Sequence, residues 1–140
     1  MSYAPKNFTA SATLSASDAD TILTVNAAAG LTLTLPAASG TGREFAIFIG
    51  TTVASNNVII QVANASDVMA GLVVSAADAG DTLNGWETAS TSDTITLNGT
   101  TKGGVKGDRY ILTDCAANTW SVNGWSSSTS TEESPFSAAV

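Results

Sequence analysis

The sequence contains no histidine. That removes Ser-His-Asp and Cys-His activation of a nucleophile, zinc sites built on imidazole, and the side chain most used as a base near neutral pH. Cys115 is the single cysteine, which excludes an intrachain disulfide and a thiolate metal cluster. Its neighbour Asp114 is the opposite of the electropositive setting that activates a thiol, so Cys115 reads as a half-buried side chain on a strand. Charge is scarce as well: Asp, Glu, Lys and Arg make up 12 % of the chain, about half the ordinary share. Only five residues are basic (Lys6, Arg43, Lys102, Lys106 and Arg109), and the net charge is −7. Proteins that track nucleic acid cluster Lys and Arg against phosphate, so no nucleic-acid partner is expected. Long apolar runs are missing too. The most apolar window, Val68–Ala77, falls short of the roughly 20 residues that span a bilayer. The first residues, MSYAPKNFTASATLS, lack the apolar segment of a secretory signal. The expectation is a chain with no membrane partner, made in a cytoplasm.

What is present is a hydrophobic fraction of 44 % in 140 residues, enough for one domain that buries roughly two-thirds of its unfolded surface. Apolar residues recur with period two. Residues 31–35 read LTLTL, Phe45, Ile47 and Ile49 alternate with Ala46 and Phe48, and residues 94–97 read TITL. Tyr110 and Leu112 share one face, Trp120 and Val122 another. Residues 58–62 (VIIQV) fit a strand covered on both sides. Such β-branched runs between turn residues are strand signals. Gly-rich residues 36–42 and the pairs Asn56-Asn57, Asn84-Gly85, Asn98-Gly99 and Asn123-Gly124 read as turns, and residues 116–118 as a hairpin connection. No window carries a helical stripe. These signals predict an all-β domain of eight or nine strands, an antiparallel β-sandwich or barrel-like fold with extended terminal arms. Its expected limits are an N-terminal arm at 1–7, a single β domain at 8–125 and a polar, mobile tail at 126–140.

No catalytic, cofactor-binding or metal site emerges. The twelve acids mark out no carboxylate pair of glycosidase type and read as solvated loop residues. Asp18-Ala-Asp20 starts like a calcium loop, but Ile22 and Leu23 stand where a ligand and a glycine belong. It reads instead as a polar turn before Thr21. Residues 99–107 (GTTKGGVKG) lack the order of a phosphate-binding loop and read as a flexible hairpin loop. The aromatics hold more promise. Trp120 alternates with Val122 and is assigned to the core. Trp86 and Trp125 adjoin Asn-Gly pairs, where an indole stacks on a sugar or fills a subunit interface. Tyr3 and Phe136 stand alone among small polar residues, as anchors would. With Phe8, these give the candidate interface Tyr3, Phe8, Trp86, Trp125 and Phe136.

Residues 31–48 (LTLTLPAASGTGREFAIF), 67–71 (DVMAG) and 107–124 (GDRYILTDCAANTWSVNG) together resemble a recurring pattern in tailed-phage structural proteins. A strand ends in Leu-Pro, a glycine loop follows, and the unit closes on an Asn-x-Trp-x-Val hairpin, here Asn118 to Val122. The resemblance spans roughly residues 30–125. It implies a capsid decoration (cement) or head-fibre protein without catalysis. Its implied partner is the major capsid protein, its implied assembly a homo-oligomer with a trimer favoured, and its place the outer surface of the virion capsid. The alternative is a receptor- or glycan-binding module of a tail fibre, working through Trp86 or Trp125.

Overall fold

Two-residue alternation governs how the strands sit. Leu31 and Leu33 are buried while Thr32 and Thr34 are half-exposed, and Phe45, Ile47 and Ile49 are fully buried. Each strand therefore has one face that must be covered, and two sheets stacked face to face cover both. The computed structural model describes residues 4–77 and 80–140. Among them it contains the strands β1 (Lys6–Phe8), β2 (Ala12–Thr13), β3 (Ile22–Val25), β4 (Leu31–Thr34), β5 (Glu44–Ile49) and β6 (Val58–Gln61). The later strands are β7 (Val68–Ala77), β8 (Thr82–Glu87), β9 (Thr94–Leu97), β10 (Arg109–Ala116), β11 (Thr119–Ser128) and β12 (Phe136–Ser137). A seven-stranded sheet runs β1-β3-β5-β10-β11-β7-β8, and a five-stranded sheet runs β12-β9-β6-β4-β2. The all-β sandwich stands; the sheets form no closed barrel.

The pairing differs from an antiparallel sandwich. From β1 to β6 the chain alternates between sheets, so odd strands lie parallel in one and even strands parallel in the other. The chain winds through three coils before β9, β10, β11 and β12 close the sheets with antiparallel pairs. Turn residues after a strand say only that the chain leaves it. Residues 36–42 carry the chain across to the other sheet rather than back along β4. The connection from β9 to β10 makes the same crossing, and β5 and β10 then pair antiparallel. The turn at 116–118 is a true hairpin, with Asn118 at φ 59°. A bulge between Asp114 and Ala116 leaves Cys115 exposed rather than half-buried.

The core lies between the sheets. Trp120 is 1 % exposed, with its ring centroid 5.7 Å from that of Phe45. Asn84-Gly85 and Asn123-Gly124 are not turns; they lie inside β8 and β11. Gly124 is a packing glycine, because a Cβ there would come within 2.9 Å of Tyr110 Cδ1 and 3.0 Å of Val73 Cγ2. Described parts of the expected arms pair within the sheets. Lys6 and Asn7 pair with Leu23 and Thr24. Strand β11 continues to Ser128, and Phe136 pairs with Ile95.

Candidate binding surface

Because side chains alternate along each strand, register places the outward row Arg109, Trp125, Val74 and Gly85 side by side across β10, β11, β7 and β8. The next row is Ile111, Asn123, Leu72 and Glu87. Ser127, Ala76 and Leu83 follow on the other side. The result is an apolar area on the outside of the seven-stranded sheet, with Trp125 66 %, Leu83 68 % and Leu72 40 % exposed. Shallow clefts of about 220 Å³ and 110 Å³ flank the Trp125 indole, the first walled by Leu83 and Ala76 and the second by Leu72 and Asn123. Contiguous exposed apolar surface of this kind marks interaction sites on soluble proteins.

The five candidate interface residues are not brought together. Trp125 stands at the centre of this outer face. Trp86 opposes Val73 in the inward-facing row and is half-buried, its Nε1 buried without a partner among the described residues. Phe8 is a correction: it is 7 % exposed and belongs to the core, under the Lys6 ammonium at 5.2 Å from the ring centroid. Phe136 is half-buried against the same core rather than free on a tail. Tyr3 lies outside the described residues.

Beneath the Trp125 face is a buried polar cluster that the sequence reading missed. Asp108 Oδ2 accepts hydrogen bonds from the Gly104 and Val105 amides at 2.9 and 3.0 Å and from the Ser126 hydroxyl at 3.3 Å. The Tyr110 hydroxyl lies 3.4 Å from the same oxygen and 3.2 Å from Ser126 Oγ. Burial pushes the Asp108 carboxyl above its ordinary value, against the Val105 and Gly104 amides that favour the charged form. Burial, then the Asp108 charge, pushes the Tyr110 phenol up. Residues 99–107 are thus tied down rather than flexible. The amides of Gly104 and Val105, which an anion would need, are taken by the chain's own carboxylate. Gly103, at φ 82°, has to be glycine: a Cβ there would meet Ser126 Oγ at 2.2 Å and the Tyr110 hydroxyl at 2.7 Å.

Asp108 is one of several carboxylates used this way. Asp18, Asp67, Asp93 and Asp114 are also buried, so these acids are not solvated loop residues. Asp114 accepts the Ser39, Gly40 and Thr41 amides and the Thr41 hydroxyl at 2.7–3.0 Å. Burial alone would raise its pKa, but the Thr41 hydroxyl and the three amides together hold it below the usual carboxylate value. Asp18 caps the turn at residues 16–18 by accepting the Ser15 amide, and pairs with Lys6. Asp67 accepts the Ala38 amide, and Asp93 the Ala139 amide. A signal was there to read: Asp67, Asp93 and Asp108 each stand immediately before a strand, where a short acceptor reaches the amides of an adjoining loop. No protein-family model, no curated protein and no solved structure matches this chain.

Proposed function

We propose that this chain is a non-catalytic binding and assembly protein whose working surface is the outer face of β10, β11, β7 and β8. The observation that carries this reading is the uncovered apolar area around Trp125. In a chain so poor in charge, it is where association removes most apolar surface from water. The buried carboxylates serve as loop clamps, which supports a rigid scaffold rather than a reaction centre. The resemblance to tailed-phage structural proteins directs the finer proposal: a decoration protein on the outer surface of a capsid shell, with the major capsid protein as partner. The acidic balance suits a face that never meets packaged DNA. Co-sedimentation with expanded shells of the major capsid protein that this reading assigns as partner tests it. Pelleting with the shells is the expected result, and full recovery in the supernatant overturns it.

A glycan-binding reading has one specific observation in its favour. The Trp125 indole is two-thirds exposed, with Arg109 opposite and Asn123 two residues along the same face, and a flat ring with polar neighbours can stack on a sugar. A glycan array separates the readings, since the assembly protein binds no sugar.

A further inference from the structure

We propose that the outer face of β10, β11, β7 and β8 is a homotypic interface, on which a second copy of this chain docks about a two-fold axis parallel to the strands, midway between β11 and β7. This rests on the assembly reading and names a second copy, rather than the capsid shell, as the partner of that surface; shell contact then falls to the surfaces the dimer leaves exposed.

Charge is the first argument. Among the outward positions of β7, β8, β10 and β11, the only charged side chains are Arg109 and Glu87. The face is therefore neutral in a chain of net charge −7, and two copies meeting here keep their excess acids away from the contact. Neither Arg109 nor Glu87 forms an ion pair within the described residues. They cannot pair with each other in one copy, because strands β11 and β7 stand between theirs and three inter-strand steps span about 14 Å.

Symmetry is the second. The proposed axis lays β11 of one copy over β7 of the other, and β10 over β8. Arg109 then falls opposite Gly85 of the second copy, where no side chain blocks it. Glu87 of that copy lies two residues along the strand, about 7 Å away and within reach of a guanidinium. The same contact repeats on the other side of the axis, as an isologous interface requires. Trp125 comes to lie over Val74 of the second copy, between the clefts that flank its partner's indole. A ring-shaped trimer uses two different patches on each subunit, whereas this arrangement uses one patch twice.

Sedimentation velocity on the full chain tests the proposal. The expected species has twice the 14.1 kDa monomer mass, in concentration-dependent exchange with monomer. Trp125→Ala and Leu72→Asp should each weaken the dimer by at least about tenfold, as loss of a central interface contact does, with unchanged circular dichroism. Arg109→Glu and Glu87→Arg should each weaken it, and the double variant should restore it, because the two-fold pairs each exchanged charge with its exchanged partner. A monomer at every concentration, a trimer, a dimer indifferent to Trp125→Ala and Leu72→Asp, or no rescue in the double variant overturns the proposal. Shell binding by a strictly monomeric chain sinks the dimer and leaves the assembly reading intact. A two-fold dimer that ignores shells upholds the interface and sinks the decoration proposal alone.

Discussion

At the scale of single residues, two buried aspartates do opposite things to stability as pH changes. Asp114 has its folded pKa held below the ordinary 3.8. The stability it contributes is fully present above that value and is lost as pH falls through the lower folded value. Asp108 has its folded pKa raised above 3.8. The folded state then binds the proton more tightly, so stability is greatest below 3.8 and declines as pH rises toward the raised value. Melting curves of Asp114→Asn and Asp108→Asn against the parent between pH 3 and 7 check this. The deficit of Asp114→Asn should shrink on acidification below about pH 4, and the deficit of Asp108→Asn should shrink as pH rises above it. Deficits that move in the same direction would show that burial and amide donation do not govern the two sites as described. The tryptophans divide as their spacing implies, since five positions along one strand reverse the face. Trp120→Ala should cost roughly 3–5 kcal/mol. Trp125→Ala, measured at dilutions where the chain is monomeric, should leave the melting temperature within about a degree or two of the parent. Reversed effects would mean that β11 carries the other face inward.

At the scale of elements, alternation was legible and connection was not. The LTLTL and EFAIFI runs announce strands and their buried faces, and Trp120 and Val122 announce the inward side of β11. Nothing in a glycine loop distinguishes a hairpin from a crossing to the other sheet, because both need only positive φ and exposed backbone. The parallel pairs were invisible for that reason. Asn123-Gly124 misleads similarly: the same dipeptide serves a tight turn or a close approach to Tyr110, and long-range packing decides. The outer face was half legible, with Trp125 found but Leu72 and Leu83 missed, because register with distant strands assembles it. The C-terminal segment reads as polar low-complexity sequence, yet its Phe136 seals the edge beyond β9. Its Ala139 amide meets Asp93 at 2.8 Å. Deleting residues 130–140 should therefore destabilise the domain by at least about 1–3 kcal/mol. It uncovers core beside β9 and strips a buried carboxylate of its amide donors. Urea unfolding measures this, and a midpoint equal to that of the full chain would return the segment to the status of a free arm.

At the scale of the whole molecule, the three coils impose an order on local opening. Each coil adds one strand to each sheet on the same side, so β1 and β2 are the outermost strands there, β3 and β4 lie inside them, and β5 and β6 inside those. In backbone pairing the first coil's strands meet only β3 and β4 among the described residues, much as a terminal repeat touches only its neighbour. Its strands are two and three residues long, whereas β10 and β11 run to eight and ten in the middle of the larger sheet. Opening the first coil therefore exposes little core, and opening the third requires the first two to have gone. Amide exchange resolved by residue should show protection rising from β1 and β2, through β3 and β4, to β5 and β6. The amides of β10 and β11 should exchange only through global unfolding. Strands β8 and β12, on the opposite edges, should exchange early as well, although pairing two copies through the Trp125 face would slow β8 as protein concentration rises. Equal protection for β2, β4 and β6 would show that the coils open together, and that the winding sets the topology of the sandwich without dividing its stability into steps.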